Sequence, residues 1–111
     1  MGEAYYVSDS HGTQDYWKHP SGLLYTDSVK DFAEEHGSYW TLDVAGSYLP
    51  VLRKHSFLIV FFDVSDNHCT FSAQEDSDLP NVVTQYIPFT DMGVSLKLFL
   101  VDGVLMFPSD Y

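Results

Sequence analysis

The hydrophobic positions of this chain change their period near residue 55. From Thr26 onward, Val29, Phe32, Ala33 and His36 recur at i, i+3, i+4 and i+7, the spacing of one helical face. Thr26 or Asp27 supplies a natural N-cap, and Gly37 a stop just past the last turn. A second short helix is expected to begin near Ser38, to carry Tyr39, Trp40, Leu42, Val44 and Ala45, and to end before Pro50. After residue 55 the period becomes two. Phe57-Leu58-Ile59-Val60-Phe61-Phe62 predicts a strand buried on both faces, closed by Ser65-Asp66-Asn67. Further strands are expected over His68–Gln74, Val82–Phe89 and Val94–Val101. Asp102-Gly103 is a two-residue hairpin signal leading to a last short strand, Val104–Phe107.

Residues 1–22 mix polar and aromatic positions and end in His19-Pro20-Ser21-Gly22, which reads as an irregular arm with Tyr16 and Trp17 docked on the body. No repeat or low-complexity linker divides the chain. One domain over 1–111 is expected, with the arm at 1–22, a helical segment at 26–49 and a sheet at 56–107. The expected class is α+β: two N-terminal helices packed on an antiparallel sheet of four to five strands.

Composition sharpens this picture. The 111 residues hold 5 Lys+Arg against 16 Asp+Glu, a formal charge of −11. Phosphate affinity comes from Lys and Arg, so direct nucleic-acid binding and attachment to an anionic membrane are both disfavoured. Disorder does not follow from the charge, because hydrophobic residues make up 45% and aromatics 16% of the chain. A single cysteine, Cys69, excludes an intrachain disulfide framework. The first residues carry no signal-peptide pattern, and the longest apolar run, Phe57 to Phe62, is too short to span a bilayer. A bacterial cytoplasm is the expected location.

Catalytic and metal chemistry find little support in the spacing. His11, His19, His36, His55 and His68 show no metal-ligand spacing, and the neighbours His68 and Cys69 point to opposite faces of a strand, so Cys69 reads as a small strand thiol. Neither a glycine-rich phosphate loop nor a nucleophile elbow is present. No enzyme activity, cofactor or metal is expected.

The acids, by contrast, are clustered. Asp27, Asp31 and Glu34 form one stripe on the first predicted helix, with Glu35 beside it. In a simple meander Asp63, Asp66 and Asp91 would share one end of the sheet, and Glu75, Asp76, Asp78 and Asp102 the other. The segment Glu75-Asp76-Ser77-Asp78 contains no compensating base. Tyr and Trp concentrate in the first half, where Tyr5, Tyr6, Tyr16, Trp17, Tyr39 and Trp40 offer amphipathic anchors beside the acidic helix.

Leu23-Leu24-Tyr25-Thr26-Asp27-Ser28-Val29-Lys30, Tyr39-Trp40-Thr41-Leu42-Asp43, Ser47-Tyr48 and the ending Gly103-Val104-Leu105-Met106-Phe107-Pro108-Ser109-Asp110-Tyr111 resemble a family of small bacterial and mobile-element proteins known only as a domain of unknown function. The likeness covers roughly residues 17–111 and implies no activity. In size and acidity the chain is also similar to phage anti-CRISPR proteins.

These observations set one leading expectation: a non-enzymatic acidic inhibitor that blocks the DNA or RNA site of a basic nucleic-acid-binding protein, most specifically a Cas effector. The expected contact residues are Asp27, Asp31, Glu34, Glu35, Asp63, Asp66, Glu75, Asp76, Asp78, Tyr39 and Trp40. The alternative is a structural or regulatory interaction module that uses a Tyr/Trp face, with the acidity incidental. The oligomeric state stays open.

Overall fold

The alternating run after residue 55 becomes the centre of an eight-stranded sheet. The computed structural model describes residues 3–9 and 12–111, with side chains from Tyr16 onward. The strands are β1 (Glu3–Asp9), β2 (Gly12–Lys18), β3 (Leu24–Thr26), β4 (Phe57–Ser65), β5 (His68–Gln74), β6 (Asn81–Ile87), β7 (Leu96–Val101) and β8 (Val104–Met106). Their order across the sheet is β1-β2-β3-β8-β7-β4-β5-β6. All neighbours are antiparallel except β3 and β8, which run parallel. Three short helices, α1 (Asp27–Glu35), α2 (Trp40–Ser47) and α3 (Leu49–Leu52), lie between β3 and β4 in the chain, and a 3-10 turn at Pro108–Asp110 ends it.

This corrects the expected class. The protein is not two helices on an antiparallel sheet of four to five strands; it is a mixed eight-stranded sheet with short helices. Three pairings account for the difference. The arm expected to be irregular pairs as a hairpin, Glu3 opposite Lys18 through Asp9 opposite Gly12. Leu24–Thr26, only three residues long, bonds β2 on one side and β8 on the other. And β7 returns to the free edge of β4, not to β6, so the sheet is no meander.

Burial explains that last choice. Leu58, Val60 and Phe62 on β4 stand opposite Leu100, Leu98 and Leu96 on β7, and all six are buried. By contrast β6 has no fully buried residue and offers no such apolar row. Removing the Phe62 side chain from water alone contributes about 2–3 kcal/mol. Cys69, Phe71 and Ala73 of β5 extend the same face. Above it sit Val29 and Ala33 of α1, Leu42 and Ala45 of α2, and Leu49 and Leu52 of α3. Trp40 meets Phe62 edge-on at 5.9 Å, and Tyr48 stacks on Phe71 at 5.5 Å.

The opposite face of the sheet is less covered. There Phe57, Ile59, Phe61 and Phe99 are half-buried, and Tyr111 packs against Phe57 and Phe99 with ring centroids 5.8 Å and 5.6 Å apart. The strand at Phe57 is thus fully buried on one face only, not on both.

Helix and strand ends follow turn chemistry. Thr26 is the N-cap of α1, but its hydroxyl donates to Asp110 Oδ2 at 2.9 Å and makes no cap bond. Gly37, at φ 59°, ends that helix. Pro50 falls in the first turn of α3, where its missing N–H costs nothing, so the helical segment continues to Leu52. Pro88 closes β6 at Ile87, two residues short of the expected Phe89, because proline cannot donate to a ladder.

Candidate functional site

The acidic stripe on α1 is partly spent inside the molecule. Asp27 Oδ1 accepts a 2.6 Å hydrogen bond from Trp17 Nε1, and Glu34 pairs with Lys30 at 3.1 Å. The Lys30 ammonium also lies 4.4 Å from the centre of the Trp17 ring. Hydrogen bonding to Glu34 holds the Lys30 ammonium above its ordinary range. Asp31 and Glu35 remain exposed on this helix.

At the sheet ends the antiparallel order puts alternate connections together, as the meander would have. Thr90 N donates to Asn67 O at 2.7 Å, and Val64 N to Ser95 Oγ at 2.9 Å. Asp63, Asp66 and Asp91 therefore gather at the β4–β5 turn end, all exposed. The other end is mixed in sign. His55 Nδ1 lies 2.7 Å from Glu75 Oε2, and Asp102 N donates to Ser56 O at 3.0 Å. Arg53, Lys54 and His55 join Leu49, Asp102 and Gly103 around a cleft of about 510 Å³ there. Glu75, Asp76 and Asp78 lack a base in their own segment, but the fold brings a histidine to Glu75 and two cations to the same end.

The acidic end also holds a pocket. Trp40, Ile87, Phe89, Thr90 and Asp91 enclose about 300 Å³. Phe89 is 70% exposed, an unusual state for a phenyl ring. Sequence reasoning placed Phe89 inside a strand; the signal for its exposure is Pro88, which releases it from the ladder. Of the two aromatic anchors expected at the site, Trp40 lines this pocket. Tyr39 instead packs against the core with its hydroxyl shut off from water, and burial, with the Glu34 charge adding, pushes its phenol up. The side chains of Tyr5 and Tyr6, and His11, lie outside the described residues.

The fold also assembles a constellation that no sequence spacing marks. Ser21 Oγ lies 2.8 Å from His19 Nδ1, and His19 Nε2 lies 2.6 Å from Asp43 Oδ1. The residue types are those of a hydrolytic triad. Its surroundings are those of a turn clamp. Ser21 N also donates to His19 Nδ1, Leu23 N donates to Ser21 Oγ, and Gly22 N donates to His19 O. The backbone donors following the serine that an oxyanion would need are thus engaged within the turn. The chain Ser21–His19–Asp43 ties the β2–β3 turn to α2.

Cys69 is fully buried; burial pushes its thiol up, and the Asp63 charge adds to the effect, the reverse of what a nucleophile needs. Among the described residues no group of three or more His, Cys, Asp or Glu side chains is placed to hold a metal ion. Nor is any helix among them long and apolar enough to cross a membrane.

Residues 6–111 match the model of DUF6876, a family of unknown function, and the chain belongs to that family. No curated protein and no solved structure matches it.

Proposed function

We propose that the chain is a non-enzymatic acidic inhibitor that binds a basic, nucleic-acid-handling protein and occupies its DNA or RNA site. One observation carries this reading. At the β4–β5 turn end Asp63, Asp66 and Asp91 are all exposed, and Asp91 lines an apolar pocket with Trp40, Ile87 and Phe89. A partner suited to that end presents an apolar side chain among Lys and Arg, as the rim of a nucleic-acid groove does. An apolar anchor gives lifetime, and clustered charge gives association rate. A Cas effector in a bacterial cytoplasm is the most specific form of the proposal, supported by size and acidity.

The test is displacement. The chain is titrated into Cas effectors and other host nucleic-acid-binding proteins carrying labelled DNA or RNA, at about 50 and 200 mM salt. Release of the nucleic acid, with affinity falling steeply as salt rises, is the expected result. A ternary complex that keeps its nucleic acid, or binding indifferent to salt, overturns it.

A second reading has its own observation, the exposed Phe89 beside Trp40: an interaction module in which the aromatic pocket dominates and acidity is incidental. Phe89→Ala separates the two, because so exposed a ring contributes little to the fold. If Phe89→Ala abolishes binding while Asp66→Asn with Asp91→Asn changes nothing, the second reading stands.

A further inference from the structure

The last strand of the sheet, β6, has a bonded neighbour on one side only. Such an edge presents a row of unpaired N–H and C=O groups, which natural proteins usually blunt with charge. Here the chain does the opposite. Residues 79–90 contain no charged side chain, although 16 acids and 5 bases are distributed over 111 residues. The same segment holds Leu79, Tyr86 and Phe89, which are 48%, 59% and 70% exposed. Pro80 and Pro88 bound the edge and set its length at seven residues, about 20 Å from first to last.

Charge returns at both ends. Asp76 and Asp78 precede the strand in an exposed loop, and Asp91, with Asp66 of the adjacent turn, follows it. An uncharged edge is therefore bracketed by carboxylates. The bracket argues against a second copy as the occupant. Antiparallel pairing of two β6 edges would set Asp78 of each against Asp91 of the other and join two chains of formal charge −11.

We propose that β6 is a docking edge for an extended segment of the basic partner, uncharged and rich in β-branched residues over about seven positions and carrying Lys or Arg at both ends. Main-chain bonds along β6 supply the pairing, the terminal cations meet the two acidic brackets, and a side chain beyond Ile87 enters the pocket beside Phe89. The proposal rests on the reading above that the partner is basic, and adds the mode of its attachment.

Three synthetic peptides test it on the full chain at about 20 mM salt. One alternates Val and Thr between paired lysines, one keeps that centre between paired glutamates, and one keeps the lysines around a Gly/Ser centre. Amide exchange and chemical shifts locate the binding. The first peptide is expected to protect amides of residues 81–87 and to bind at least tenfold more tightly than either other. Thr84→Lys, which places a cation on the exposed middle of the edge, is expected to weaken it about tenfold.

Equal binding of the Gly/Ser peptide, or protection elsewhere, overturns the docking edge and leaves the basic-partner reading standing. Protection of β6 by the glutamate peptide overturns the basic partner and keeps the edge. Failure of both lysine peptides to bind overturns the docking edge, while the displacement experiment decides the broader reading. If Thr84→Lys does not fold, the peptide comparison on the unaltered chain is sufficient.

Discussion

Trp17 Nε1 donates a 2.6 Å hydrogen bond to Asp27 Oδ1, tying β2 to the first turn of α1. The carboxylate also sits where the helix N-terminus favours negative charge. One of the acids expected to face a partner is therefore a structural strut. Asp27→Ala should cost about 1.5–3 kcal/mol, because the indole N–H loses a charged acceptor in a half-buried site. Asp31→Ala, on the exposed side of the same helix, should stay within about 0.5 kcal/mol. Urea denaturation of the two variants checks the difference; equal costs would remove the strut.

Asp110 holds the C-terminus in a comparable way. Its carboxylate accepts from Thr26 Oγ1 at 2.9 Å, Ser28 Oγ at 3.0 Å and Phe107 N at 3.0 Å. Thr26 is buried, so removal of the acceptor leaves its hydroxyl unsatisfied. Asp110→Ala should destabilise by about 2–3 kcal/mol. Asp110→Asn keeps an acceptor oxygen and should cost less. Thermal unfolding that orders the two variants the other way would contradict the clamp.

Gly46 makes room for the Ser21–His19–Asp43 clamp. A Cβ built there would lie 2.4 Å from Ser21 Oγ and 3.1 Å from His19 Nδ1. Gly46→Ala should cost about 1–3 kcal/mol through this overlap, despite the better helix propensity of alanine. Ser21→Gly removes the Oγ together with the Ser21 Cβ, which would itself lie 3.0 Å from the added atom, so the double variant should recover much of the loss. A double-mutant cycle measures the coupling, and additive costs would place the strain elsewhere.

Alkaline pH should weaken the fold. Burial pushes the Cys69 thiol up, so the native state keeps a proton that the unfolded chain releases from about pH 8.5. Stability is fully present below that value and falls as pH rises through the native thiol's range. Tyr39, raised chiefly by burial, and Lys30, raised chiefly by its bond to Glu34, act in the same direction from about pH 10. Unfolding free energy measured from pH 7 to 10 should decline, and Cys69→Ala should flatten the decline between about 8.5 and 9.5. An unchanged slope would remove the thiol as its cause.

Much of the local structure was legible in the sequence, for reasons that act over a few residues. Asp102-Gly103 reads as a hairpin turn and adopts one, with φ of 50° and 83°. Asp66 and Asn67 turn the chain between β4 and β5 with φ of 51° and 65°. Gly37 stops α1, and the β5 strand lies where its alternation placed it. Clustering of Asp63, Asp66 and Asp91 was also legible, because antiparallel strands send alternate connections to the same end whatever their order.

Strand order was decided only in the tertiary structure. Nothing local in Leu24-Tyr25-Thr26 announces a strand, since three residues gain their ladder only from β2 and β8, distant in the chain. The choice of β4 by β7 depends on two rows of three buried side chains meeting in register. The site shows the same division. Sequence alone determined the acidity, the uncharged stretch before Asp91 and the turns that place it. Only the fold put Phe89 beside Trp40, spent Asp27 on Trp17, brought His55 to Glu75 and left β6 with a neighbour on one side only. Periodicity and turn chemistry act between near neighbours, whereas strand pairing and burial join residues whose separation along the chain carries no local signal.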